Sequence, residues 1–185
     1  MGNQKNDWKI LSEQLIYENP WISLTHYDVL NPAGNKGIYG KVHFKNLAIG
    51  IVALDEDDSI HLVGQFRFVL QEYSIEIPEG GGLIGQDPLI SAKRELKEET
   101  GLEAENWQLL LEMHLSNSVT DEKAIVYLAR GLKQGIAEPE DSENIRHSKI
   151  SFEEAYEKVM KGEIMDAITV AAILKVKLLK SEAKI

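Results

Sequence analysis

The sequence predicts an α/β fold: a mixed β-sheet with helices on both faces, an α/β/α sandwich, preceded by a small antiparallel three-stranded unit. Three observations lead there. The chain opens with three strand-like runs divided by turn signals. The continuous apolar run Leu47–Leu54 then suits a strand buried on both faces. Beyond it the order of patterns is strands, one helix, strands, two helices.

The opening strands are expected at Trp8–Glu18, Trp21–Leu30 and Gly37–Phe44, separated by Asn19-Pro20 and by Asn31-Pro-Ala-Gly-Asn-Lys-Gly37. Such a sheet buries little alone, so it must pack against the rest of the chain or a second subunit. Lys45-Asn46 marks the boundary. After Leu47–Leu54, the acidic turn Asp55–Asp58 leads to a partner strand at Ile60–Phe66 and a short one at Ser74–Ile77. A glycine-rich loop then spans Gly80, Gly81, Gly82 and Gly85.

The helix that follows is defined at both ends. Asp87 is placed to cap it, Pro88 fits its first position, and Gly101 stops it. Strands return at Trp107–Leu115 and Lys123–Leu128. An acidic loop occupies Ile136–Asn144, followed by a strand at Ile145–Ile150. Ser151-Phe-Glu-Glu154 is a capping box opening a helix to about Met160, and a last helix runs from about Asp166 to Leu179.

The 185 residues are 43% hydrophobic and 27% charged, which suits a soluble domain with an appendage. A net charge of −10 disfavours nucleic-acid binding unless cations intervene. No cysteine is present, which removes disulfides and thiolate metal sites and fits a reducing compartment. The N-terminus lacks a signal-peptide apolar core, and no apolar run approaches the roughly 20 residues of a membrane span. A cytoplasmic protein with no membrane partner is expected.

The chemistry lies in Gly80–Leu102. On the helix, Glu95, Glu98 and Glu99 are neighbours at three- and four-residue spacing. Leu89, Ala92 and Leu96 form the apolar stripe opposite. Taken alone, Arg94-Glu-Leu-Lys-Glu-Glu99 also fits a solvated face with an Arg94–Glu98 ion pair. The glycine loop upstream shifts the reading, because glycines let backbone approach metal and phosphate closely. Oxygen donors without His or Cys favour Mg²⁺, with Mn²⁺ as the alternative, over zinc.

The segment resembles the Nudix box: Gly, five residues, Glu, seven residues, Arg-Glu, an aliphatic, any residue, Glu-Glu, any residue, Gly, an aliphatic. Gly80, Arg94, Glu95, Leu96, Glu98, Glu99, Gly101 and Leu102 fall in register, and only the first Glu is replaced, by Gln86. Gln65-Phe-Arg67, Glu76-Ile-Pro78, Gly162–Thr169 and the N-terminal strands are similar to the branch acting on ADP-ribose and nucleoside diphosphate sugars.

That resemblance implies a Mg²⁺-dependent diphosphatase cleaving a nucleoside diphosphate sugar, ADP-ribose or GDP-mannose-like, to a nucleoside monophosphate and a sugar phosphate. It implies metal binding by Glu95, Glu98, Glu99 and the backbone carbonyl of Glu79. Arg94 would orient a carboxylate, with Glu98 as ligand or partner. The base would come from the acidic loop (Glu138, Glu140, Asp141, Glu143), with Glu140 preferred. Arg67 would contact substrate phosphate or form a surface ion pair, and Glu76 lies in the matching substrate motif. Trp21 and Tyr27 would stack on the base or line a dimer seam, and His114 is structural. Residues 1–46 would exchange in a homodimer, and 47–185 form the Nudix domain. Leu115–Glu122 lacks the proline usual in ADP-ribose pyrophosphatases, which favours broader nucleotide-sugar use. Gln86 cannot be an anionic ligand. It keeps open a catalytically weakened nucleotide-sugar sensor. A nucleoside triphosphate pyrophosphatase is a second alternative, against which the N-terminal strands argue, since small triphosphatases of the family usually lack them.

Overall fold

The computed structural model describes residues 5–136 and 144–185. The chain forms two compact units. One comprises the chain up to Asn46 with His114–Glu122, and the other Leu47–Met113 with Lys123–Ile185.

In the first unit, β1 (Lys9–Glu18), β2 (Ile22–Leu30) and β3 (Lys36–Phe44) form an antiparallel sheet in that order. β1 is exposed along its whole length, and Ile10, Leu11, Leu15, Ile16 and Tyr17 are each more than half exposed. Successive strand residues face opposite sides, so apolar side chains are open on both faces of this strand. The segment 114–122 joins this unit through β3: Val42 N donates to Val119 O at 2.9 Å, and Phe44 N to Asp121 Oδ1 at 3.0 Å.

In the second unit the sheet has seven strands. Its main path runs β10 (Arg146–Ser151), β5 (Ser59–Arg67), β4 (Asn46–Leu54), β9 (Lys123–Gln134), β8 (Leu102–His114). Two short strands complete it: β6 (Glu72–Glu76) pairs with β5, and β7 (Glu79–Leu83) with β4. β4 and β9 are parallel, whereas β5 is antiparallel to β4, β6 and β10, so the sheet is mixed.

β4 explains the layering. Ile49, Ile51 and Ala53 are buried with Ala92 and Leu96 of α1 (Pro88–Thr100). Gly50 points the other way, where a Cβ would come within 2.8 Å of Ile168 in α3 (Ala167–Ser181). Helix α2 (Phe152–Lys161) buries Phe152 and Ala155. One helix thus lies on one face of β4 and the last helix on the other, the expected α/β/α sandwich.

The helix ends follow their chemistry. Asp87 accepts from Leu89 N at 3.0 Å, and Gly101 terminates α1 at φ 73°. Ser151 Oγ accepts from Glu154 N at 3.1 Å, and Asp166 Oδ2 from Thr169 N at 2.7 Å. Three expectations change. The glycine stretch is largely strand, with a turn confined to its end. β8 begins at Leu102, directly after the helix-ending glycine. β9 continues to Gln134, six residues past its expected end at Leu128.

The β5–β10 edge carries a histidine pair. His61 Nε2 lies 3.0 Å from Asp55 Oδ2, and its Nδ1 is 2.8 Å from His147 Nε2. Burial and the neighbouring His61 hold the His147 imidazole below its ordinary value of 6.5. The folded protein therefore takes up this proton less readily than the unfolded chain. The resulting stability is fully present above pH 6.5 and is lost as pH falls through the depressed folded value. Between about pH 7 and about pH 5, the parent's urea midpoint should fall more steeply than that of His147→Gln. Parallel slopes would refute the assignment.

Candidate functional site

The site grows from the contact between α1 and β7. On α1, Ala92 and Leu96 enter the core while Glu95 and Glu99 come to lie against the neighbouring strand, each less than a tenth exposed. The backbone of β7 receives them. Glu79 N donates to Glu99 Oε2 at 2.9 Å. Gly80 is packed so closely that a Cβ there would stand 2.2 Å from the Glu95 carboxyl carbon and 2.4 Å from both its oxygens. Gly82 is similarly close to Ile49, at 2.8 Å. These glycines exist for approach rather than for a left-handed backbone; in the stretch from Gly80 to Gly85, only Gly85 has positive φ, at 89°.

Arg94 ties the two elements together. Its guanidinium donates to Glu98 at 2.6 Å, to Glu95 at 2.5 Å and to Gly81 O at 2.9 Å. One planar fork thus orients two carboxylates and the strand carrying the glycines. Burial opposes its charge, but Glu95 and Glu98 outweigh this and raise its pKa. The Arg94–Glu98 pair expected from the bare string is present, alongside contacts that a merely solvated face would not make.

A second acidic group adjoins the first through Glu79. Glu76, Glu79 and Asp166 each offer a carboxylate oxygen within 4.8 Å of the others. Among the described residues this is the one such trio of potential metal ligands. Arg67 meets it, with Nε donating to Glu76 at 2.9 Å, one Nη to the other Glu76 oxygen, and the same Nη to Glu79 at 3.1 Å. The hydrogen bond to Glu76 comes first in keeping Arg67 charged. Burial would raise the Glu76 carboxyl, but hydrogen bonds from Arg67, Glu79 and Ser74 hold it below the ordinary range. Glu79 goes the other way: burial, then Asp166 and Glu76, push its carboxyl well above that range. Of the two, Glu79 therefore holds a proton the more readily and Glu76 the negative charge.

The donor set is entirely oxygen, with two arginines holding carboxylates in place, which fits a hard divalent cation and not a soft one. Beside the trio, a cavity of about 620 Å³ is walled by Phe68, Leu70, Tyr73 and Met165 and floored by Arg67, Glu76 and Asp166.

Of the residues singled out by sequence, Glu79, Glu95, Glu98, Glu99 and Arg94 converge on the α1–β7 contact, and Arg67 and Glu76 on the trio. Gln86 is exposed in the turn that ends β7, its N donating to Leu83 O at 3.2 Å. Glu140 and its neighbours Glu138, Asp141 and Glu143 lie outside the described residues. Trp21 and Tyr27 belong to the first unit. Trp21 is 65% exposed. Tyr27 lines a recess of about 470 Å³ with Trp8, Tyr39, Lys41 and Asp121. Asp166, Trp8, Tyr39 and Asp121 were not singled out. Asp166 is signalled by its place in Gly162–Thr169 and at the start of the last helix, and the others only by being polar or aromatic in the first unit.

The NUDIX domain model matches residues 44–169, and the nucleoside diphosphate sugar hydrolase N-terminal domain model residues 8–42. The chain is 30% identical over 177 residues to an ADP-ribose pyrophosphatase of Mycobacterium tuberculosis, covering 93% of this chain and 84% of the relative. It is 31% identical over 175 residues to the methanol dehydrogenase activator of Bacillus methanolicus, covering 94% of each. A crystal structure of an ADP compounds hydrolase superimposes with TM-score 0.86 at 19% identity, covering all of both chains. No helix among the described residues is long and apolar enough to cross a membrane.

Gly80→Ala tests the α1–β7 contact. The added methyl displaces Glu95, so Mn²⁺ affinity, followed by electron paramagnetic resonance, should fall by about one to two orders of magnitude. Affinity within twofold of the parent's would show that this close approach is irrelevant to cation binding.

Proposed function

Because this chain belongs to the Nudix hydrolases, we propose that it cleaves the diphosphate bond of nucleoside diphosphate sugars, ADP-ribose or a GDP-mannose-like compound, with Mg²⁺. The observation that carries this reading is the burial of Glu95 and Glu99 against β7, where Gly80 leaves room for the Glu95 carboxylate and the Glu79 amide meets Glu99. It gathers anionic oxygens and strand backbone at one place, with Arg94 orienting them. Two relatives of similar length are ADP-ribose pyrophosphatases, which supports the substrate class.

In this reading Glu95, Glu98, Glu99 and the Glu79 carbonyl hold the ions, with Mn²⁺ as a substitute. Bound there, divalent cations neutralise diphosphate charge and make bound water more acidic. Water adds to one phosphorus, the bridging P–O bond breaks, and a nucleoside monophosphate and a sugar phosphate leave. Glu140 takes the proton from the water. Arg94 keeps Glu95 and Glu98 aimed. Arg67, already held by Glu76 and Glu79, meets the phosphate from the cavity side. Trp21 and Tyr27 either stack on the base or line the dimer seam. A nucleic-acid partner is not proposed, and the absence of cysteine favours a cytoplasmic location.

The test is a panel of ADP-ribose, GDP-mannose and nucleoside triphosphates with Mg²⁺, products separated by chromatography. Nucleoside monophosphate and sugar phosphate should appear, and EDTA should abolish them. Glu99→Gln should lower metal affinity more than Glu140→Gln, and both should lower kcat by about 10²-fold or more. Full turnover in EDTA would end this reading. Binding without product release, unrelieved by Gln86→Glu, would favour the sensor.

We further propose a homodimer through the N-terminal strands. Open apolar side chains on both faces of β1 are what a subunit-exchanging sheet would cover. Sedimentation at micromolar concentration should give twice the chain mass, and Ile10→Glu should shift it to monomer. A monomeric parent would overturn the proposal.

A further inference from the structure

The structure assigns Thr169, on the last helix, a role as a positioning residue for the metal-facing backbone of β7. The inference rests on the reading that the Glu79 carbonyl faces a cation.

The corner Ile77-Pro78-Glu79 joins β6 to β7 and is pinned from three directions. Ile77 N donates to Thr169 Oγ1 at 3.0 Å. Pro78 O accepts from Ile51 N at 2.8 Å. Glu79 N donates to Glu99 Oε2 at 2.9 Å. Proline has no N–H, so this corner has two backbone donors, and both go to side chains rather than to the sheet ladder. One acceptor lies on the carboxylate helix. The other is a threonine that is wholly buried and 92 residues away in sequence.

Thr169 is itself held. Its N–H donates to Asp166 Oδ2 at 2.7 Å, which caps α3. The Asp166 carboxylate also lies in the trio with Glu76 and Glu79. The first turn of α3 therefore grips the backbone of the corner with Thr169 and faces its flanking carboxylates with Asp166. If Thr169 releases Ile77, the corner keeps its links to Glu99 and Ile51 but loses the restraint from α3. The direction of the Glu79 carbonyl, and the seat of Glu99 beneath it, are then free to drift. A group that acts this way touches neither substrate nor cation. It acts by fixing the orientation of groups that do.

The test compares the full-length protein with Thr169→Val, Thr169→Ser and Glu99→Gln. Valine keeps the shape and removes the acceptor, and serine restores it. Thr169→Val should weaken Mn²⁺ binding about tenfold by calorimetry. It should also speed amide exchange at Glu79 and Gly80 in the metal-free protein, with Thr169→Ser near the parent on both. Loss of thermal stability with unchanged Mn²⁺ affinity and unchanged exchange would overturn the inference and leave Thr169 a core residue. If valine does not fold, Thr169→Ala, which leaves room for a water to accept from Ile77, takes its place with the same two readouts. Unchanged Mn²⁺ binding in Glu99→Gln would instead overturn the reading of the site itself.

Discussion

Two carboxylates buried against the glycine-rich strand β7 are the contact on which the rest of the site depends. Removing a carboxylate from water costs on the order of several kcal/mol unless partners replace the lost hydration. The partners here are specific. Arg94 supplies a guanidinium to Glu95, and the Glu79 amide supplies an N–H to Glu99. The first lies within α1, and the second requires β7 to approach α1 closely. That approach requires glycine at position 80, since any side chain would overlap the Glu95 carboxylate. Helix, strand and arginine are thus one arrangement, and none of its parts can be changed alone. The helix is seated for the same reason: Ala92 and Leu96 anchor it to β4 and set the height at which the carboxylates meet β7.

The second acidic group shows how the fold limits its own repulsion. Like charges at such separations disfavour full ionisation of Glu76 and Glu79 together. Arg67 favours Glu76 as the anion, and burial with the neighbouring carboxylates makes Glu79 the readier to hold a proton. Arg67, bonded to both Glu76 and Glu79, thus offsets the repulsion within the trio.

What could be read from sequence was what depends on neighbours along the chain. Asp87, Pro88 and Gly101 marked α1 at both ends because caps are local. The apolar run of β4 was legible because a strand buried on both faces leaves an unbroken signature. The glycine stretch was read as loop because glycine usually serves turns. Here it serves contact with a helix that comes later in the chain, and composition does not distinguish the two uses. Thr169 and Asp166 sit in a recognisable segment, yet their partners are Ile77, Glu76 and Glu79, some 90 residues earlier. No spacing rule links them. The same holds for 114–122, whose attachment to β3 through Val119 and Asp121 is purely tertiary.

Gln86 is best weighed by where it stands. Glu95 and Glu99 are each buried, and each is aligned by a specific contact, with Arg94 or with the Glu79 amide. Gln86 is exposed in the turn after β7, next to Asp87, whose carboxylate is spent on capping α1. A charge at that position would act across water, where a unit charge a few ångströms away is worth about 1 kcal/mol. A charge at Glu99 acts within a buried, aligned contact, where the same separation counts for several times more. Loss of the anion at 86 therefore lowers the field around the site while leaving its aligned donors intact. Such a change weakens a cation-dependent hydrolase by degree. Glu95, Glu99 and the β7 backbone that seats them are in place whatever stands at position 86.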